Sequence, residues 1–229
     1  MESSTSYGFS SLQVDSDAQM MDEGSVQALG NAIARIDQGK LVQAKANIHT
    51  ILTTSDESAI KSAADGLISF VDHLDSIGFI GAVANVILDE NVSLNKNIDD
   101  IPGMRDTLLT YGFTEEMIDS IESGISYVQQ HRNEILSDFG YRCFSTKDVS
   151  DLAYELKAVM KGNLNEVKFI PMGTKAISMS CIAAILGAIG ATGAAAAGCY
   201  LTCGVGCYFG AIGAAGAVFG AYLTCRGSS

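Results

Sequence analysis

The chain has 229 residues, a formal net charge of −12 and no tryptophan. This acidic balance argues against a nucleic-acid-binding protein, because binding to the phosphate backbone requires clusters of lysine and arginine. Charge is also segregated along the chain: every Asp and Glu lies at or before Glu166, and the segment from Ala176 to Cys225 has no charged side chain. About a quarter of an ordinary soluble chain is charged, so we expect the two parts to have different functions.

Residues 1–22 are predicted to form a disordered arm, since they are rich in Ser, Asp and Gln and show no apolar periodicity. A secretory signal has a basic start and an apolar run of about seven residues or more. Residues 1–22 have neither feature. The chain is therefore expected either not to be exported by that route or to begin after a signal that has been removed.

Residues 23–162 are predicted to form an acidic helical bundle, because apolar residues recur there at helical spacing. The stripes, in chain order, are Val26, Leu29, Ile33, Ile36; Leu41, Ala44, Ile48, Leu52; Ile60, Ala64, Leu67, Val71, Leu74; Ile118, Ile121, Ile125, Val128; and Leu152, Leu156, Val159. The segment from Phe79 to Leu88 is apolar nearly all round, which predicts the buried centre of the bundle. No segment alternates as a strand does, so the predicted fold class is all-α.

Local signals predict where these helices begin and end. Gly39 is expected to break the first helix, and Thr54 with Glu57 three residues later is a capping-box pattern that opens the third. The polar stretch from Asp89 to Asp100 is expected to be a loop, followed by a short helix from Met104 to Leu109. The two later helices are predicted to start at Thr114 and at Ser145.

No catalytic constellation is found in the helical part. Its three histidines, His49, His73 and His131, are scattered and lack the spacing of metal ligands. The acidic pairs Asp99–Asp100 and Glu115–Glu116 are expected to be a solvated loop and a first helical turn, where acids interact favourably with the helix dipole. The sequence therefore predicts no enzymatic activity, no cofactor and no metal site.

The tail, residues 176–229, is predicted to be an apolar helical hairpin. Its two arms, from Ala176 to Tyr200 and from Cys207 to Cys225, would be roughly 28–37 Å long, which matches a hydrocarbon core of about 30 Å. Small residues four apart permit close packing of helices in lipid, and here they are predicted to pack one arm on the other. These residues are Gly190, Ala194 and Gly198 on the first arm and Gly206, Gly210 and Ala214 at and beyond the hinge. The alternative is a Gly/Ala-rich helix pair in the core of a soluble bundle.

Insertion of this tail into a bilayer is expected to be marginal. Each arm has five residues of the Leu, Ile, Val and Phe types, which together contribute roughly −1.5 to −3 kcal/mol at the centre of a membrane. Such a segment suits a peptide that is soluble or masked before it inserts. The stripe Leu152, Leu156 and Val159 is predicted to cover it.

Five cysteines lie in the tail, at positions symmetric about Cys203. Folding the tail at Cys203 brings Cys181 level with Cys225 and Cys199 level with Cys207, at separations that permit disulfides. Such bridges imply an oxidising compartment. The alternative is that these cysteines pack as small apolar residues.

The run Cys199-Tyr-Leu-Thr-Cys203-Gly-Val-Gly-Cys207, the apolar residues to Leu223 and then Cys225 resemble the C-terminal peptides of halocin-like bacteriocin precursors. The resemblance covers about a fifth of the chain. It implies a C-terminal peptide that is released as the antimicrobial and an N-terminal part that serves the producer as an immunity factor. The chain departs from that pattern in its odd number of tail cysteines and in showing no export signal.

The predicted function is therefore that of a secreted precursor, cut in a turn-rich linker at residues 163–175. The released hairpin would permeabilise the lipid membrane of target cells, and the chain's own N-terminal domain would bind the tail and mask it. One alternative is a membrane-associated interaction protein with a permanent two-helix C-terminal anchor. A third possibility is a soluble α protein whose core includes the tail.

Overall fold

The computed structural model describes residues 23–89, 98–100, 103–119, 122, 130, 146–167, 186–188 and 190. Its bounded helices are α1 (Glu23–Ala34), α2 (Gln38–Thr53), α3 (Glu57–Ser76), α4 (Phe79–Leu88), α5 (Met104–Thr110) and α6 (Thr146–Val167), with a 3-10 turn at Ile98–Asp100. Residues 115–119 are also helical. No β-strand occurs in these ranges, and the predicted all-α fold class is confirmed.

Helices α3 and α4 form the middle of the bundle. Helix α3 packs against α2, α4 and α6, and α4 packs against α1 as well as α6. Seven of the ten residues of α4 are buried, including Phe79, Ile80 and Leu88. The prediction that this segment is the buried centre is confirmed, and the reason is that α4 has no charged residue to place in water.

Within the described ranges, the apolar stripes face the common core, as the spacing predicts. Ile121, Ile125 and Val128 lie outside those ranges. The fully or almost fully buried stripe residues are Val26, Leu29, Ile33, Ile36, Leu41, Ala44, Ile48, Ala64, Leu67, Val71, Leu74, Ile118, Leu152 and Leu156. Ile60, Leu52 and Val159 are partly buried at the edge of that core. Ion pairs from Lys157 to Asp75 (2.5 Å) and from Lys161 to Asp72 (2.9 Å) also connect α6 to α3.

The first helix does not end at Gly39, and that prediction is wrong. Helix α1 ends at Ala34 and α2 begins at Gln38, so Gly39 lies in the first turn of α2. The side chain of Asp37 caps this turn by accepting a hydrogen bond from the Lys40 N–H at 2.8 Å. A carboxylate at the N-cap satisfies an unpaired backbone donor, and this outweighs the low helix propensity of a glycine in the first turn.

The third helix is also capped differently from the prediction. Its N-cap is Asp56, whose carboxylate accepts from the Ser58 N–H at 2.9 Å. Thr54 is instead the C-cap of α2, and its hydroxyl accepts from the Asp56 N–H at 3.2 Å. Because an aspartate stands directly before the helix, Thr54 belongs to the turn between the helices rather than to a capping box.

The later boundaries agree with the prediction in part. The short helix α5 follows Gly103, and the Thr114 hydroxyl accepts from the Met117 N–H at 3.3 Å at the start of the next helical segment. Helix α6 begins at Thr146, while Ser145 lies outside the described residues. Helix α6 continues to Val167, so residues 163–167, which the sequence assigns to the linker, are helical.

Candidate functional site

The C-terminal end of α5 forms a turn that brings two large side chains together. The Phe113 N–H donates to the Leu108 carbonyl at 3.1 Å and the Gly112 N–H donates to the Leu109 carbonyl at 2.9 Å. Gly112 has φ +94°, a left-handed conformation that glycine adopts without steric cost. This is a Schellman motif, in which the third-last helical residue and the second residue beyond the cap are typically in apolar contact. Leu108 and Phe113 hold those two positions, and both are buried.

Residues of the tail enter the core at this turn. Leu186, Gly187, Ala188 and Gly190 are helical and buried, and Leu186 and Ala188, both 0% exposed, belong to the same hydrophobic core as the body helices. A Cβ atom built on Gly190 would lie 2.8 Å from Leu108 Cδ2. The backbone of the tail therefore approaches Leu108 more closely than any residue with a side chain permits without a shift.

We call Leu108 and Phe113 the α5 seat. The Cβ position of Gly190 lies 3.9 Å from Phe113 Cε2, so Gly190 is in reach of both members. The sequence predicts that Leu152, Leu156 and Val159 of α6 cover the tail. The α5 seat is not predicted from the sequence, because Leu108 and Phe113 belong to no long apolar stripe.

The predicted hairpin-packing set is described only at Gly190, where the structure shows an approach to the body. Ala194, Gly198, Gly206, Gly210 and Ala214 lie outside the described residues. The same holds for Cys181, Cys199, Cys207 and Cys225. The packing between the arms and both disulfides therefore stay predictions.

Helix α2 supports the α5 turn from one side. A Cβ atom built on Gly112 would lie 3.5 Å from His49 Nδ1 and 3.6 Å from Leu52 Cδ1. Lys45 Nζ lies 5.2 Å from the centre of the Tyr111 ring, a distance at which a cation is attracted to an aromatic face. Tyr111 is buried, and burial raises the pKa of its hydroxyl. The turn is thus held between the end of α2 and the core.

An ion-pair cluster holds the other side of α5. Arg105 bonds to Asp99 (2.5 Å), to Glu115 (2.5 Å) and to Glu122 (3.3 Å), and Asp119 lies 3.6 Å away. This cluster connects the 3-10 turn, α5 and the helical segment that follows the α5 seat. Asp99 is predicted to lie in a solvated loop and Glu115 in a first helical turn. Both side chains are exposed, and both also pair with Arg105.

The cluster shifts the pKa values of two carboxyl groups in opposite directions. Hydrogen bonding from Arg105 lowers the pKa of Asp99 below its usual value. Burial, reinforced by the charge of Asp99, raises the pKa of Glu122. Glu122 Oε1 is buried, and no described residue is its hydrogen-bond partner. Four carboxylates around a single guanidinium therefore leave an excess of negative charge.

The histidines that the structure describes have structural environments. His73 Nε2 accepts the Asp37 backbone N–H at 3.1 Å, and burial lowers the pKa of His73. His49 lies beside the Gly112 turn, and His131 is outside the described residues. Among the described residues, no group of three or more His, Cys, Asp or Glu side chains is arranged to hold a metal ion. The apolar side chains of the α5 seat can bind an apolar helix.

Within the described ranges, no individual helix is both long enough and apolar enough to span a bilayer. Among the described helices, one pair, α3 with α4, meets those criteria of length and composition when taken together, and the two helices are bent by 69° at their junction.

Comparison of the chain with protein-family models, with curated proteins and with solved structures finds no match. We therefore infer its function from its own residues and contacts.

Proposed function

We propose that this chain is the precursor of a secreted antimicrobial peptide. In this proposal the tail is released as a hairpin that permeabilises the membranes of target cells, and the helical body masks it until then. The observation that carries the proposal is that Leu186 and Ala188, which belong to a long charge-free segment, lie in the body's core, and that Gly190 of the same segment lies at the α5 seat. An exposed apolar segment of that length would aggregate or insert into a membrane.

The energies of masking and insertion are comparable. Complete burial of one leucine side chain is worth about 1.5–3 kcal/mol, and Leu186 is 0% exposed. The whole first arm gains only roughly 1.5–3 kcal/mol from its strongly apolar residues on entering a bilayer. Burial of Leu186 alone is therefore comparable with the gain from inserting the first arm, and the second arm, which also has five such residues, would gain a similar amount.

The linker is the segment where we expect the precursor to be cut. Helix α6 ends at Val167, and both Val167 and Leu164 are buried. A protease needs exposed, extended backbone, so a cut within α6 is disfavoured. Pro171 and Gly173 follow in the linker, and both residues disfavour helix. We expect the cut between residues 168 and 175.

Dye leakage from lipid vesicles tests the proposal. The tail, residues 176–229, should release dye from the vesicles, whereas the intact chain at the same concentration should not. The body, residues 23–175, is the matched control and should release none. If the isolated tail binds vesicles but leaves the dye inside, the proposed permeabilising activity is wrong.

The state of the cysteines tests the secreted character. Peptide mapping without reduction should recover the pairs Cys181–Cys225 and Cys199–Cys207. Loops of this size stabilise a fold by roughly 3–4 kcal/mol when the bridge is unstrained. Free thiols at all the tail positions would contradict the oxidising compartment.

Carbonate extraction of membranes tests the alternative function. Intact chain that resists this extraction would favour the anchored interaction protein.

A further inference from the structure

The contact between tail and body does not depend on the linker. Leu186 and Gly190 lie well beyond Lys175, the last charged residue before the tail. Gly190 meets Leu108 and Phe113, which precede the linker in the chain, and Leu186 shares the core of the body helices. A cut between residues 168 and 175 breaks a peptide bond outside this contact and leaves the buried side chains where they are.

The α5 seat also selects the residue that faces it. Leu108 is 1% exposed, so its side chain has little free space into which it can move. A methyl group at position 190 would lie 2.8 Å from Leu108 Cδ2, closer than two carbon atoms approach without displacement. Only glycine fits at position 190 without a shift, so the seat fits a helix that presents glycine.

The position that the seat covers is one that the hairpin needs. Gly190 belongs to the predicted packing face of the first arm, with Ala194 and Gly198. A helix face that lies against Leu108 at Gly190 cannot receive the second arm at the same point. Binding to the body and closure of the hairpin therefore compete for Gly190.

From these observations we infer that the α5 seat is a binding surface for the glycine-bearing first arm of the tail, and that cutting the linker does not release the tail. This inference rests on the proposed function. The cut precursor remains a non-covalent complex of body and tail in which the hairpin is kept open. Release requires a second step that moves α5, which the Arg105 cluster and the end of α2 hold in place.

The experiment uses the full chain with a specific protease site inserted between residues 168 and 175. After complete cutting at neutral pH, size-exclusion chromatography should show body and tail eluting together. Gly190→Ala should weaken the complex by about tenfold, equivalent to about 1.4 kcal/mol, which is within the range for overpacked cores. Gly162→Ala is the matched control and should elute like the parent, because its Cβ meets nothing within 4 Å.

A complementary pair of variants separates recognition from general destabilisation. Leu108→Ala removes the atom that Gly190→Ala would meet, so the double variant should lose less binding than the sum of the losses in the two single variants. Two independent losses of stability would instead add. Separation of body and tail directly after cutting, or unchanged binding in Gly190→Ala, would overturn the inference. Vesicle leakage by the isolated tail is a separate measurement, so the proposed function stands or fails independently.

Discussion

Truncation of Leu186 tests whether the tail is a structural part of the body. Leu186→Ala removes three carbon atoms from a side chain that is 0% exposed. The lost transfer free energy is about 0.8 kcal/mol per methylene, and the cavity left behind raises the total to about 2–5 kcal/mol. Urea denaturation of the full chain, followed by far-UV circular dichroism, measures the change in the free energy of unfolding.

Val42→Ala is the matched control, because Val42 is 67% exposed on α2. A surface substitution of this kind is expected to change stability by no more than about 0.5 kcal/mol. If Leu186→Ala shifts the urea midpoint no further than Val42→Ala does, the first arm is not part of the cooperative core. Both the proposed masking of the tail by the body and the proposed binding surface at the α5 seat would then be wrong.

Three further predictions concern the body. Gly66→Ala should lower the free energy of unfolding, since its Cβ would overlap the Nδ2 atom of Asn47. Gly162→Ala, whose Cβ meets nothing within 4 Å, should raise the free energy of unfolding by about 0.5–1 kcal/mol, and equal effects of the two variants in urea denaturation would contradict this. Burial lowers the pKa of His73 below 6.5. The contribution of neutral His73 to stability should therefore be lost as pH falls from 6.5 through the folded-state pKa. Thermal melts of the His73→Gln variant should not show that loss. Burial raises the pKa of Glu122 above 4.5. The free energy of unfolding should therefore rise as pH falls from neutral through that raised value. If the free energy of unfolding of Glu122→Gln depends on pH as that of the parent does, the raised pKa of Glu122 is refuted.

Much of the fold was predictable because the signal for each helix is local. The stripe Val26, Leu29, Ile33 and Ile36 is buried in full, since residues at helical spacing share one face whatever that face packs against. Helix α4 was assigned to the centre for a similar reason, because it has no polar face. The caps at Asp37 and Asp56 were missed, although an acceptor directly before a helix is itself a local signal.

The candidate site was predictable only in part. Composition alone identified the tail as the unusual segment, since the absence of charge from Ala176 to Cys225 is read directly from the chain. The spacing of small residues also singled out Gly190. The prediction for Gly190, however, was packing within the hairpin, and the partner that the structure shows for it is Leu108 of the body.

The sequence by itself determined the all-α fold class, the buried face of most helices and the separation of an acidic body from a tail that has no charged side chain between Ala176 and Cys225. These properties depend on spacing and composition within a single segment. Only the tertiary structure decided that Arg105 joins Asp99 to Glu115, and that Leu108 and Phe113 receive Gly190. Such pairs are set by how separate segments approach one another when the whole core closes, and no periodicity within either segment encodes that approach.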